Sequence, residues 1–163
     1  MFNAFFLYWD EVTWNGRSIL GMVDISGKLA VEREAIAEGK IFLRKETMKM
    51  IKENRVEKGD PFQIAVISAT NAVKKTSDLI PFCHQIPIED VKVRFDLSET
   101  VVTVKVHVKS FSKTGVEMEA LSGVLNALLN IWDVVKKYEK DEDGNYPTTM
   151  ITDVRVLSKM KRS

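Results

Sequence analysis

The segment Lys113–Lys137, KTGVEMEALSGVLNALLNIWDVVKK, decides the fold, because it is the longest helical pattern in the chain and is apolar almost all the way round. Val116, Leu121, Val124, Leu125, Leu128, Leu129, Ile131, Trp132 and Val135 cover most of a helical wheel, which marks a helix buried on several sides. One stripe breaks the pattern. Glu119, Ser122, Asn126, Asn130, Asp133 and Lys137 follow one another at spacings of three or four and therefore share a face, with Lys136 beside it. The stripe is either the wet side of an amphipathic helix or the wall of a polar pocket, and pattern alone leaves both open.

Just upstream, two segments alternate strictly. Val91, Val93, Phe95 and Leu97 point one way, and Val102, Val104, Val106 and Val108 repeat the pattern after a turn at Ser98–Thr100. Earlier still, Asp60 is a good helix N-cap and Pro61 a natural first helical residue. That helix is expected to run to about Lys75 and to be ended by Thr76-Ser77-Asp78 and Pro81. Leu79–Pro87 then reads as a loop carrying Cys83-His84. Leu29–Leu43 reads as extended chain interrupted at Glu38-Gly39, and Lys45–Asn54 as a short helix with Met48 and Ile51 inward. Downstream of the long helix, Asp141–Pro147 is a polar loop, followed by a strand over about Thr149–Leu157 and a basic tail.

From Asp60 the order is thus helix, strand, strand, helix, strand, with an extended element before it. This predicts an α+β, ferredoxin-like sandwich: a mostly antiparallel sheet with helices packed on one face. Residues 1–21 read as an N-terminal extension, in which Asn15-Gly16 signals a hairpin of Phe5–Thr13 with Arg17–Val23. Residues 22–163 read as a single domain.

Composition narrows the function. With 24 basic and 23 acidic residues the net charge is +1, so there is no global field for nonspecific nucleic-acid binding and any anion site must be local. Cys83 is the sole cysteine, which excludes an intramolecular disulfide and points to a reducing compartment. No run approaches the ~20 apolar residues of a membrane span. The apolar start lacks a basic flank and is stopped by Asp10 and Glu11, unlike a signal peptide. A cytoplasmic protein without membrane or nucleic-acid partners is expected.

Several side chains invite chemistry. Lys58 lies two residues before the Asp60 cap, where a helix N-terminus and a cation together suit a phosphate or carboxylate. Thr114-Gly115-Val116-Glu117 matches a capping box, with Thr114 as N-cap and Glu117 at N3. Glu119 has no such structural excuse, and an ionised carboxylate on a buried helix needs a partner. Asp133 and Lys136 are partners by spacing. Cys83, His84 and His107 form a weak zinc set without CxxC or HxxxH spacing, and His84 is equally an acid–base candidate.

As a set, the residues resemble a known family. Met22-Val23-Asp24-Ile25-Ser26, Lys58-Gly59-Asp60, the run Lys75–His84 (KTSDLIPFCH), Thr114–Leu121 (TGVEMEAL) and Ile131-Trp132-Asp133 with Lys136 are similar, in order, to the MoaC family. These are the cyclic pyranopterin monophosphate synthases of molybdenum cofactor biosynthesis. The resemblance runs from about Met22 to Lys159. It implies a lyase that converts 3′,8-cyclo-7,8-dihydro-GTP to cyclic pyranopterin monophosphate with release of pyrophosphate. It also implies a ferredoxin-like subunit in a homohexamer, a trimer of dimers with active sites at subunit interfaces. Matching motifs carry over catalytic roles to Lys58, Asp133, Lys136, His84, Glu117 and Glu119. Phe82, Cys83, His84, Met118 and Glu119 would line the substrate, with Lys28, Arg33 and Lys159 against its anionic parts. No metal site and no resident cofactor are implied, and Mg2+ accompanying the triphosphate stays open. The sequence departs from the family at Gln85, in the longer connection through Asp141–Asn145, and in the tail Met160-Lys161-Arg162-Ser163, which replaces the usual glycine-rich ending.

Overall fold

The computed structural model describes residues 13–14, 17–18 and 21–162. Two short strands, β1 (Thr13–Trp14) and β2 (Arg17–Ser18), pair antiparallel across the Asn15-Gly16 turn signal. The rest of the expected hairpin before Thr13 lies outside the described residues, and Val23, expected at its far end, is not in a strand.

The main sheet has four strands: β3 (Val31–Phe42), β4 (Asp90–Leu97), β5 (Val101–Ser112) and β6 (Met150–Arg162). Their spatial order is β4-β5-β3-β6, and every neighbouring pair is antiparallel. Between them come α1 (Lys45–Lys52), α2 (Pro61–Lys74), the short α3 (Thr76–Leu79) and α4 (Glu117–Glu139). Starting from β3 this is the β-α-β-β-α-β order of a ferredoxin-like sandwich. The period of two decides which face is covered. Val102, Val104, Val106 and Val108 of β5 are fully buried beneath the helices, while Thr103, Lys105, His107 and Lys109 project from the other, helix-free face.

The core lies between the sheet and the α2–α4 layer. Two glycines set how closely the layers approach. A Cβ at Gly39 would meet Val124 and Leu128 of α4 at 2.8 Å, and one at Gly123 would meet Val73 at 2.9 Å. This corrects the reading of Glu38-Gly39 as an interruption. β3 runs straight through, the glycine makes room for α4, and only the pairing with β6 shifts register there. Asp60 caps α2 as expected, its Oδ1 accepting from the Phe62 and Gln63 amides at 2.8 and 3.4 Å.

Four further expectations change. Thr76-Ser77-Asp78 does not end the helical path but forms α3, with Thr76 Oγ1 donating back to the Ala72 and Val73 carbonyls. β6 continues past Leu157 to Arg162, so the basic tail is strand, paired with β3 as far as Glu32. α4 starts at Glu117 with Val116 at the cap position and no side-chain cap, so Thr114 and Glu117 do not form a capping box. And α4 is long and apolar enough to cross a membrane by length and composition, against the expectation that nothing approaches a span; 56% of that window is buried inside the structure, as befits a core helix. Its C-terminal end is fixed by Glu139, a fully buried carboxylate accepting from the Arg44 amide at 3.1 and 3.2 Å and from the Thr149 hydroxyl.

The polar stripe of α4 is not simple surface, since Asn126 and Asn130 line a cavity of about 430 Å3 with Ser68, Asn71 and Lys75. Its middle faces α2: Asn130 Nδ2 donates to Ser68 Oγ at 2.6 Å and to the Asn126 carbonyl at 2.9 Å. Solvent instead meets Leu125 and Leu129, 43% and 55% exposed.

Candidate active site

The N-terminal end of α4, the Phe82–His84 loop and the segment before β3 enclose a cavity of about 430 Å3. Lys28, Phe82, Cys83, His84, Glu117, Met118 and Glu119, seven of the residues singled out in the sequence, line it. Each is placed by a local device. His84 Nε2 lies 2.8 Å from the Val23 carbonyl, which can only accept, so Nε2 carries a proton and Nδ1 is the ring nitrogen left for acid–base work. Asp24 closes an Asx turn by accepting from the Ser26 amide at 2.8 Å, and Lys113 Nζ donates to the Ser26 carbonyl at 2.9 Å. The segment is thereby strapped across the cavity mouth.

The two glutamates behave differently. Glu119 is 4% exposed, and burial pushes its carboxyl above the usual range, helped by the nearby Glu117 charge. Glu117 feels burial too, but the Lys159 ammonium, 2.8 Å from its Oε1, outweighs this and holds the carboxyl below the usual range. A carboxyl pushed up beside one held down is an arrangement suited to moving a proton. Burial, and then the Glu119 charge, push the Cys83 thiol up, so it stays protonated and serves as wall rather than nucleophile. Arg33 reaches the same rim. Its Nη2 is 3.5 Å from the Lys113 carbonyl, and its buried Nε has no hydrogen-bond partner.

Lys58, Asp133 and Lys136 are elsewhere. Asp133 accepts from Lys58 Nζ through Oδ2 and from Lys136 Nζ through Oδ1, both at 2.7 Å, and Lys58 also donates to the Asp133 carbonyl at 3.1 Å. These hydrogen bonds, Lys136 first, pull the Asp133 carboxyl down to about 2. The fourteen residues from Glu119 to Asp133 put this triad about 21 Å along α4 from the cavity. One chain therefore does not bring the predicted catalytic set together. The zinc set is not assembled either. His107 is on the helix-free face of the sheet, with Nε2 2.9 Å from Glu34, remote from Cys83 and His84, and no group of three metal-ligating side chains occurs among the described residues.

Residues 22–161 match the MoaC family model. The chain belongs to the MoaC family. Similar proteins include a probable cyclic pyranopterin monophosphate synthase of Aeropyrum pernix, 55% identical over 86% of this chain and 97% of its own length. One of the same description from Methanosarcina mazei is 54% identical over 86% of this chain and 89% of its own length. A third, from Methanothermobacter thermautotrophicus, is described as a probable cyclic pyranopterin monophosphate synthase accessory protein; it is 48% identical over 93% and 95% of the two chains.

Within this MoaC-family site, sequence reasoning missed Gly21, Val23, Ile25, Thr114 and Gly115 as lining residues. The motif Met22–Ser26 was a signal for the first group. Gly115 had a different one. A Cβ there would fall 1.9 Å from Glu117 Oε2, so the glycine leaves the space in which the Glu117 carboxylate folds back toward Lys159. Lys159 needs no glycine-rich tail in this member of the family, because β6 holds it opposite Ala35.

Proposed function

We propose that this chain is a cyclic pyranopterin monophosphate synthase, a lyase that converts 3′,8-cyclo-7,8-dihydro-GTP to cyclic pyranopterin monophosphate with release of pyrophosphate. Membership of the MoaC family and relatives carrying that name support the enzyme class and its part in molybdenum cofactor biosynthesis. The observation that carries the reading to this site is the convergence of Lys28, His84, Glu117 and Glu119 on one cavity of about 430 Å3, a size for a nucleotide-scale ligand.

Roles follow from the environments. Lys28, Arg33 and Lys159 are cations at the rim and meet the anionic part of the substrate. Glu119, with its raised carboxyl, and His84, through Nδ1, carry protons during opening and closure of the guanine-derived rings. Asp133 stays ionised and orients two ammonium groups, so Lys58 and Lys136 act as electrostatic clamps on developing negative charge. Phe82 and Met118 form the apolar wall. Mg2+ would enter only with the triphosphate, and no resident cofactor is needed for these steps.

The ~21 Å between the two halves is closed by assembly: the cavity of one subunit meets the Lys58–Asp133–Lys136 triad of another. An apolar patch on the helix layer, with Ile67 64%, Leu79 59% and Leu129 55% exposed, supports burial against a second copy. A homohexamer built as a trimer of dimers in the cytoplasm is the proposed form.

The test is an anaerobic assay of purified protein with the cyclic dihydro-GTP, following pyrophosphate and the pterin. Both products should form, and Glu119→Gln and Asp133→Asn proteins should each lose about 10²-fold or more of the turnover. Co-refolding those two variants should restore about a quarter of wild-type turnover, the share of sites that receive both intact halves by random mixing. Folded wild-type protein that yields no product would overturn the function. Mixed oligomers that stay inactive would overturn the shared site alone.

A further inference from the structure

The helix-free face of the sheet carries a second, smaller depression of about 200 Å3, formed by Lys92 and Arg94 of β4, Lys105 and His107 of β5, and Ile36 of β3. The ladder explains why these side chains meet. Lys92 lies directly opposite His107, and Arg94 directly opposite Lys105, so four basic side chains form a two-by-two block on one face. Ile36, opposite His107 on the other side, supplies an apolar floor. Like charges directly opposite one another destabilise a sheet, and Arg94 and Lys105 are such a pair, at roughly 4.5–5.5 Å between Cβ atoms. Such a block favours an anion beside it.

The surrounding carboxylates do not fill that need. Asp90 holds Lys92 at 3.0 Å, Asp96 holds Lys105 at 2.8 Å and Glu34 holds His107 at 2.9 Å, each from outside the block. These contacts hold three corners of the depression, and a fourth carboxylate, Glu38 opposite Lys105 on β3, is taken up by Arg155 at 2.7 Å. The fourth corner, Arg94, has no ion-pair or hydrogen-bond partner among the described residues and is exposed. A guanidinium in this setting presents a planar, two-pronged donor, the geometry that recognises tetrahedral oxyanions.

We propose that this depression is an anion-binding site, separate from the catalytic cavity, for a compact phosphate-class oxyanion. At about 200 Å3 it falls below the roughly 300–1,000 Å3 of sites that enclose a drug-sized ligand, so it takes the phosphate or pyrophosphate group itself and leaves any attached nucleoside outside. Arg94 donates two bonds to the anion, Lys92 and Lys105 neutralise it from either side, and Ile36 excludes water beneath it. The cross-strand repulsion built into the sheet is relieved when the anion binds.

The proposed shared catalytic site also offers cations, Lys58 among them, so the experiment weakens that site first. Full-length Lys58→Ala protein is titrated calorimetrically with inorganic pyrophosphate and with orthophosphate, and compared with Lys58→Ala/Arg94→Gln. Affinity should fall at least tenfold in the double variant. Equal affinity in the two proteins, or no binding to Lys58→Ala protein, overturns the site. Guanosine 5′-monophosphate then separates the sources. Binding as tight as orthophosphate assigns the site to a phosphoryl group on a larger molecule, and binding of the free ions alone assigns it to those ions. Arg94→Gln in the wild-type background should keep full turnover. In phosphate-free buffer at low ionic strength its Tm should rise, because the unpaired cation is gone and little salt screens the repulsion. A fall in Tm would mean that Arg94 is a structural contact and would overturn the proposal.

Discussion

The two ends of α4 each hold a carboxylate that the sequence marks for chemistry, and the fold treats them in opposite ways. Glu119, at the N-terminal end, is buried beside Cys83 and Glu117 with no cation on it, and its carboxyl is pushed up. Asp133, at the C-terminal end, is exposed, gripped by two ammonium groups, and pulled down to about 2. The same residue chemistry on one helix thus yields a group poised to exchange a proton and a group that never does so near neutral pH. Charge partners and burial, rather than residue type, assign the roles.

The largest expected effect breaks this contrast at Glu119. Glu119→Gln should lower turnover by about 10²–10⁴-fold, the range for a general acid–base group. It should also stabilise the protein at pH 7. The folded carboxyl lies above its ordinary value of 4.5, so the native state binds the proton more tightly than the unfolded chain. Stability therefore falls as pH rises through the window from 4.5 up to the raised value, and the ionised side chain is a burden above it. Thermal melts of wild type and variant should converge as pH drops toward 4.5 and separate above it. A variant less stable than wild type at pH 7 would remove the argument.

Asp133→Asn should lower turnover by about 10²-fold through misplacement of Lys58 and Lys136. Here the sign of the pH effect reverses. The folded carboxyl lies below its ordinary value, so the stability it contributes is complete above about 3.8 and is lost as pH falls through about 2. Wild type should be more stable than the variant by a constant margin above about pH 4, and the two should converge as pH falls through about 2. A pH–rate profile whose acidic limb moves in Asp133→Asn but stays in Glu119→Gln would exchange the two roles.

Smaller effects sharpen the picture at the rim. Lys159→Met should raise KM by about tenfold, in line with loss of a charge-assisted hydrogen bond, and let the Glu117 carboxyl rise toward its ordinary range. Gly115→Ala should reach a similar state from the other side. The new methyl displaces only the flexible end of Glu117, so Tm should hold while the Glu117–Lys159 pair is lost. Smallest is Ser68→Ala, which removes the acceptor of Asn130 between α2 and α4 and should cost about 1 kcal/mol of stability, read from denaturant melts, without touching chemistry.

Much of this was legible in the chain. The alternating valines of β5 and the Asp60-Pro61 start of α2 are local signals, and local signals survive folding when tertiary contacts agree with them. The failures share a cause. Thr114 and Glu117 have capping-box spacing, yet Glu117 is drawn to Lys159, 42 residues away in sequence, and the helix begins without the box. Glu38-Gly39 has the look of a break, yet the glycine is there for a helix nearly a hundred residues downstream. Asn126 and Asn130 left surface and pocket both open, and only their packing against α2, where they line a cavity with Ser68 and Asn71, decides for the pocket.

The sequence by itself determined the order of elements, the buried face of the sheet, the family and the identity of the chemical groups, because period, caps and motif depend on neighbours along the chain. Only the tertiary structure decided that those groups fall into two clusters, which of two carboxyls is pushed up and which is pulled down, and that four basic side chains share one corner of the open sheet face. Each of these depends on strand register, helix length and desolvation, which arise when segments far apart in sequence are packed together.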